Sequence, residues 1–98
     1  MKNIKIKICG ITNPKTLDYC INLNVDFFGL IFFNKSPRNI NIKKATELVN
    51  YQNNLKCIPV GVFVNKKLDK LIEIIKKTNL KHVQLHGNES NEYICKLK

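Results

Sequence analysis

A β-strand that ends in a thiol and a turn is predicted by the stretch Lys5-Ile6-Lys7-Ile8-Cys9-Gly10-Ile11-Thr12-Asn13. Strand side chains alternate between the two faces of a sheet, so the isoleucines of residues 4–9 share one face. Lys7 and Cys9 share the other face, about 6.6 Å apart. A nearby ammonium favours the thiolate, which makes Cys9 a candidate general base or nucleophile. A lone cysteine after an apolar strand also fits a small buried hydrophobic residue, so both interpretations stay open here.

Strand-like and helix-like patterns alternate four times along the chain. Asn13-Pro14 supplies an N-cap and a first-turn proline for one helix, and Asn24 suits the left-handed position that ends it. Asn65 is expected to cap a helix that runs to about Thr78. This alternation predicts an α/β fold with a parallel sheet. The predicted strands are residues 4–9, 27–33, 58–64 and 82–86, and the last helix begins near Ser90.

The predicted strand over residues 27–33 is apolar throughout, as is typical of a parallel strand covered on both faces. The helices instead place apolar residues at helical spacing on one face. Their expected inner faces are Leu17, Cys20 and Ile21; Ile42, Ala45 and Val49; Leu68, Leu71, Ile72 and Ile75; and Tyr93, Ile94 and Leu97.

Length and composition narrow the class of protein. The chain has 98 residues, 44% of them apolar, which predicts one domain with a modest core. No run approaches the roughly 20 apolar residues of a membrane span, and lysines near the amino end interrupt any signal-peptide core. The four cysteines form no CxxC pair, so reduced thiols, no zinc site and a cytoplasmic location are expected.

A net charge of +10 is compatible with nucleic-acid binding. All but one of the 17 basic residues are lysines, however, and they are scattered along the chain instead of forming one stripe. Arg38 is the single arginine. A guanidinium in a chain that uses lysine everywhere else indicates a site that needs a planar fork, such as a carboxylate or phosphate contact. A chance surface arginine is the alternative.

Several polar residues converge at one edge of the predicted sheet. Cys9, the loop that holds Arg38, Asn65 and His86 all follow or end strands. The carboxyl ends of parallel strands meet at one edge, which is where α/β folds place their chemistry. We therefore expect a thiol, a guanidinium, an amide and an imidazole to share one mouth.

Four ordered motifs together resemble the phosphoribosylanthranilate isomerase family, and such a collinear set is more specific than any single motif. The resemblance implies half of a TIM (β/α)8 barrel, a (βα)4 unit, with residues 1–98 as a single partial domain. The motifs are Lys7-Ile8-Cys9-Gly10-Ile11-Thr12-Asn13, Gly29-Leu30-Ile31-Phe32 with Lys35-Ser36-Pro37-Arg38, Val60-Gly61-Val62-Phe63-Val64-Asn65 and Val83-Gln84-Leu85-His86-Gly87.

The resemblance also implies roles for individual residues in an Amadori rearrangement of the tryptophan pathway. Cys9 matches the general base and Lys7 its supporting neighbour. Arg38 matches the residue that binds the anthranilate carboxylate, while Gln84 and His86 match polar substrate contacts at the mouth. A hydrogen bond from His86 to its own loop is the alternative for that residue. No metal ion or cofactor is expected.

The family's general acid and its glycine-rich phosphate loops belong to later strands, which these 98 residues do not include. A half-barrel would also leave its first and last strands as open edges. Three hypotheses follow: part of an isomerase that acts on an anthranilate-bearing phosphosugar, a binding or assembly module that pairs with a complementary half-barrel or itself, and a basic nucleic-acid-binding domain. We favour the first, with neither nucleic acid nor membrane as a partner.

Overall fold

A computed structural model describes residues 4–51 and 57–97 of the chain. Within these ranges four strands alternate with four helices, which confirms the predicted fold class. The strands are β1 (Lys7–Cys9), β2 (Phe27–Phe32), β3 (Ile58–Phe63) and β4 (Val83–Leu85). The helices are α1 (Pro14–Asn22), α2 (Ile42–Tyr51), α3 (Leu68–Thr78) and α4 (Asn91–Leu97).

The four strands form one parallel sheet in the order β1-β2-β3-β4. Each strand therefore pairs with its neighbour in sequence, and β1 and β4 are the two edges. Parallel pairing of consecutive strands requires a crossover between them, and the intervening helices provide it. All four carboxyl ends, which we call the mouth, consequently lie along one edge of the sheet.

One face of the sheet packs against the helices and carries the core. Phe28, Leu30 and Phe63 are fully buried there, and the ring of Phe63 stacks on that of Phe32 at 5.1 Å between centroids. Each such side chain contributes about 1.5–3 kcal/mol by leaving water. The helices contribute Leu17, Ala45, Leu48, Leu71 and Ile74 to the same cluster.

The predicted ends of α1 are confirmed. The side chain of Asn13 accepts a hydrogen bond from the Thr16 backbone N–H at 2.8 Å, and Pro14 is the first helical residue. Asn24 has a φ of 59°, in the left-handed region that asparagine tolerates.

The predicted ends of β2, β3 and β4 differ from the observed ones by one residue, and two other predicted element ends are wrong by more. β1 begins at Lys7 instead of residue 4, because the Asp26 carboxylate, and not a strand partner, accepts the N–H of Ile6 at 2.8 Å. Asn65 does not cap α3, which begins at Leu68 after an N-cap at Lys67 that makes no side-chain bond. The Asn65 side chain instead binds a neighbouring loop, described below.

The inner faces of the later helices also differ from expectation. In α3 the buried apolar residues are Leu71 and Ile74, and in α4 Ile94 is exposed while Tyr93 and Leu97 pack on the core. Strand β2 is fully covered on the helix side only, since Phe27 on its other face is half-buried.

Candidate active site

The candidate residues lie on the sheet face that the helices do not cover, which we call the open face. Residues that are partners across a parallel ladder point to the same side. Cys9 pairs with Gly29, and Gly29 pairs with Val60. Because Phe28 and Leu30, the neighbours of Gly29, are buried on the helix side, this row of residues belongs to the open face.

The Cys9 thiol occupies the space above Gly29. A Cβ atom added at Gly29 would lie 2.8 Å from Cys9 Sγ, closer than van der Waals contact allows. Cys9 is half-buried and its thiol is free. The side chain therefore stands at the end of β1, on the open face and within reach of a ligand placed in the mouth.

Two other cysteines are chemically different from Cys9. Cys20 and Cys57 belong to the buried core. Burial raises the pKa of Cys20 and raises that of Cys57 to about 11, with smaller contributions at Cys57 from Cys20 and Asp26. Thiols held in the protonated form are poor nucleophiles and bases, so the interpretation as small hydrophobic residues holds for these two.

Arg38 lies directly beside the end of β1. Gly10, the residue after Cys9, has a φ of +82°, and a Cβ there would lie 2.6 Å from both Cδ and Nε of Arg38. The arginine stem thus passes over the bare backbone of Gly10. The loop after β2 is shaped for this by a hydrogen bond from the Arg38 N–H to Ser36 Oγ at 3.1 Å. Within the described ranges no carboxylate pairs with this exposed guanidinium, so it is available to an anionic ligand.

Lys7 shares the open face with Cys9. It pairs with Phe27 in the ladder and is half-buried. No hydrogen bond joins the Lys7 ammonium to the Cys9 thiol in the part of the chain that the structure describes. Lys7 contributes an ammonium charge to the same face of β1, two residues before the thiol.

Gln84 and His86 bring polar groups from the far edge of the sheet. Gln84 pairs with Val62, which places it on the open face. His86 is exposed just beyond β4, and its backbone N–H donates to the carbonyl of Phe63 at 2.8 Å. That bond joins His86 to the end of β3 through its main chain, and it leaves the imidazole exposed to solvent at the mouth.

His82 also contributes to this surface, although no motif indicated a role for it. Its ring meets that of Phe27 edge to face, with centroids 6.4 Å apart. Phe27 is thus an aromatic neighbour on the open face that sequence reasoning missed. Alternation along β2 could have identified it, because Phe27 lies two residues before Gly29.

Asn65 connects the loop after β3 to the loop after β4 by hydrogen bonds. Its backbone has a φ of 48°, its Oδ1 accepts the N–H of Asn88 at 2.7 Å, and its own N–H donates to Glu89 Oε2 at 2.8 Å. Gly87 leaves space for this, since a Cβ there would lie 2.5 Å from Asn65 Oδ1. These contacts tie the loop after β3 to the loop that carries His86.

A separate groove of about 530 Å³ lies between the loops that follow β2 and β3. Phe32, Ile40 and Ile74 line it, with Lys66 and Lys70 also among its walls. Cys9, Arg38, Gln84 and His86 are all outside it. The groove is therefore distinct from the residues that the motifs single out.

Two classes of site are not found in the part of the chain that the structure describes. No cluster of three or more His, Cys, Asp or Glu side chains has the arrangement of a metal site. None of the helices at residues 4–51 and 57–97 has the length and apolar character of a membrane span.

One family model and several known proteins resemble the chain. The model for N-(5'-phosphoribosyl)anthranilate (PRA) isomerase matches residues 6–98. N-(5'-phosphoribosyl)anthranilate isomerase of Chlamydia felis is 40% identical over 85 residues, which are 87% of this chain and 41% of the relative.

Solved structures give the same picture. Phosphoribosyl anthranilate isomerase of Thermotoga maritima has a TM-score of 0.90 and 33% identity, over 96% of this chain and 45% of that one. A complex of this kind of enzyme with reduced 1-(o-carboxyphenylamino)-1-deoxyribulose 5-phosphate has the same TM-score and identity, over 96% of this chain and 48% of that one. The chain spans less than half the length of each of these relatives.

Proposed function

Because this chain belongs to the N-(5'-phosphoribosyl)anthranilate isomerase family, we propose that it is the amino-terminal part of a cytoplasmic enzyme with that activity. Residues 1–98 then form one partial domain, the (βα)4 half of a barrel. The substrate is a phosphosugar that carries anthranilate. The observation that most strongly supports the proposal is the placement of the Arg38 guanidinium over Gly10, directly beside Cys9. The free thiols of Cys9 and Cys95 fit a reducing compartment.

The reaction requires a base beside C2 of the sugar. Once the ribosylamine ring has opened to a protonated Schiff base, the Cys9 thiolate takes the C2 proton. The electron pair of that C–H bond forms the C1=C2 bond of the enol-amine, and the C1=N π pair moves to the nitrogen. Addition of a proton at C1 and loss of the proton from the C2 hydroxyl then give the ketone. A positioned acid-base group contributes about 10²–10⁴-fold to such a step. The half-buried position of Cys9 at the end of β1 supports this role, and Lys7 lies on the same face of the strand.

In this proposal Arg38 orients the substrate in the mouth. A guanidinium can donate two parallel hydrogen bonds to a carboxylate, which fixes both the distance and the plane of the ligand. Anthranilate presents one carboxylate, so a substrate held by Arg38 would have its sugar toward the neighbouring Cys9. Gln84 and His86 would contact the ligand from the opposite edge of the mouth, which their places on the open face and at the end of β4 support.

The remaining chemistry belongs to groups outside these 98 residues. An acid must protonate the ring oxygen as the ring opens, and a phosphate site must hold the other end of the substrate. The aspartates available here are poorly placed to act as that acid. Asp18 and Asp69 lie in helices, and Asp26 lies at the amino end of β2, where it binds the Ile6 N–H.

The test combines this chain with the missing half from a relative. The 98-residue chain and residues equivalent to the second half of the Chlamydia felis enzyme are expressed together, and turnover is followed by the loss of substrate fluorescence. We expect turnover from the pair, none from either half, and none from a pair in which Cys9→Ser replaces the wild-type half. Turnover by the 98-residue chain alone, or full turnover by the Cys9→Ser pair, would contradict the proposal.

Self-association is a second candidate, and exposed apolar residues at the β1 edge favour it. Ile4, Ile6 and Ile8 are 79%, 50% and 42% exposed, although isoleucine is usually buried. The unpaired backbone groups of an edge strand can add another strand. A second copy could cover this edge as well as a complementary half could. Sedimentation tests this: a stable dimer supports the second candidate, and a monomer that associates only with the added half supports the first.

A further inference from the structure

We propose that Gly29 is a positioning residue for the Cys9 thiol, an inference that deepens the proposed function and rests on it for its catalytic meaning. The absence of a side chain at Gly29 creates the space that Sγ occupies. The location of the thiol in the mouth is thus decided by a residue on the neighbouring strand that does not itself contact the substrate.

The first observation is the close approach of the two strands at this row. An added Cβ at Gly29 would lie 2.8 Å from Cys9 Sγ, 3.1 Å from its Cα and 3.4 Å from its Cβ. Carbon and sulfur atoms that do not bond normally stay about 3.5–4 Å apart. An alanine at this position therefore has to displace the thiol, because the nearest obstacle is Sγ.

The second observation is that glycine is not needed here for its backbone freedom. Gly10 has a positive φ, whereas Gly29 lies within the regular ladder of β2. Glycine inside a strand weakens it and often marks a close approach. The close approach at Gly29 is to the Cys9 side chain.

Gly29 also holds the turn that follows Cys9. Its carbonyl accepts the N–H of Gly10 at 3.0 Å and the N–H of Ile11 at 3.1 Å. Gly29 therefore limits where the Cys9 thiol can lie, and its carbonyl anchors the backbone that follows Cys9. Gly29 thus restrains both the side chain of Cys9 and the backbone that follows it.

Gly61 provides a matched control. It is also a buried strand glycine, and a Cβ there would lie 2.8 Å from Leu80 Cδ1 and 2.9 Å from Phe63 Cε2. Gly61→Ala thus introduces a contact as short as that of Gly29→Ala, but on the helix face of the sheet, away from Cys9. General weakening of the sheet should affect both variants, and only Gly29→Ala should affect the thiol.

The experiment measures alkylation of the 98-residue chain by iodoacetamide. Mass spectrometry of tryptic peptides gives the rate at Cys9 relative to that at the exposed Cys95 in the same molecule. We expect Gly29→Ala to push Sγ away from β2 toward solvent and to raise this ratio by at least about threefold, because thiol reactivity follows access. Gly61→Ala should leave the ratio unchanged. Equal ratios in all three proteins would overturn the proposal.

A double-mutant cycle covers the case in which Gly29→Ala does not fold. Cys9→Ala removes Sγ, so the loss of urea midpoint caused by Gly29→Ala should be smaller in that background than in wild type. Cys9→Ala removes the 2.8 Å contact with Sγ but keeps the 3.1 Å contact with Cys9 Cα, so it should restore part of the stability that Gly29→Ala removes. Gly61→Ala should lower the urea midpoint by the same amount in wild type and in Cys9→Ala. An equal loss of urea midpoint for Gly29→Ala in wild type and in Cys9→Ala would overturn the proposal.

These two measurements need no turnover, so they separate this inference from the proposed function. Isomerisation by the wild-type pair of halves tests the function alone. In that pair, Gly29→Ala should lower kcat with little change in KM, since Arg38 still binds the carboxylate, and Gly61→Ala should change neither. A lowered kcat for both glycine variants would indicate a structural role only.

Discussion

The hydrogen bond from the Asn88 N–H to Asn65 Oδ1 joins two loops of the mouth, and its contribution to the free energy of unfolding can be predicted. Asn65→Ala removes the acceptor of the Asn88 N–H, and a neutral hydrogen bond contributes about 1 kcal/mol net. It also places alanine at a φ of 48°, which asparagine tolerates better than alanine does, so up to about 1–2 kcal/mol more is lost. We expect a total loss of about 1–3 kcal/mol in the free energy of unfolding.

Asn65→Gly separates the two contributions. Glycine also lacks the Oδ1 acceptor but adopts the left-handed region without strain. Its loss should therefore be about 1 kcal/mol, the share of the hydrogen bond. Asn24→Ala, at a φ of 59° and away from the mouth, is the control for backbone strain alone.

The assay is urea unfolding of the 98-residue chain, combined with amide hydrogen exchange. Both Asn65 variants should lose protection at the Asn88 N–H, and Asn24→Ala should keep it. Equal free-energy losses for Asn65→Ala and Asn65→Gly would refute the strain argument. Retained protection at Asn88 in both would refute the hydrogen-bond argument.

Three further predictions concern the thiols and the arginine. In the completed barrel, Cys9→Ser should lower kcat at least about 100-fold with little loss of stability, since a hydroxyl is a far poorer base; undiminished kcat would remove Cys9 from the mechanism. Arg38→Lys keeps the charge but loses the fork, so KM should rise about tenfold, the effect of one charge-assisted hydrogen bond; an unchanged KM would make Arg38 a surface residue. Burial raises the pKa of Cys57 from 9.0 to about 11, so the unfolded chain ionises first and stability is lost as pH rises through this window. The urea midpoint should fall between pH 9 and about 11, and it should fall less in Cys57→Ala; equal slopes would refute this assignment.

Local patterns predicted most of the fold because they depend on short-range physics. Alternation, apolar spacing and caps identified all eight elements of residues 4–51 and 57–97, and Asn13 and Asn24 ended α1 as expected. The errors arose where a distant partner competed with the local pattern. Asp26 takes the N–H of Ile6, and Asn88 takes the side chain of Asn65 that local sequence assigned to a helix cap.

The candidate site was predicted in part. The topology of a parallel sheet was enough to predict that Cys9, Arg38 and His86 share one mouth, because carboxyl ends of parallel strands must share an edge. Sequence could not place the Arg38 stem over Gly10, since a loop conformation decides that contact. Nor could it indicate the contact of Phe27 with His82, which crosses the intervening strand.

The sequence by itself determined the order and type of the elements, the face on which Cys9 lies and the identity of the groups at the mouth. Each follows from side-chain periodicity or from the motifs along the chain. Only the tertiary structure decided how close those groups come. The thiol stands where it does because Gly29, 20 residues away, has no side chain, and such a contact depends on strand register, which no local pattern contains.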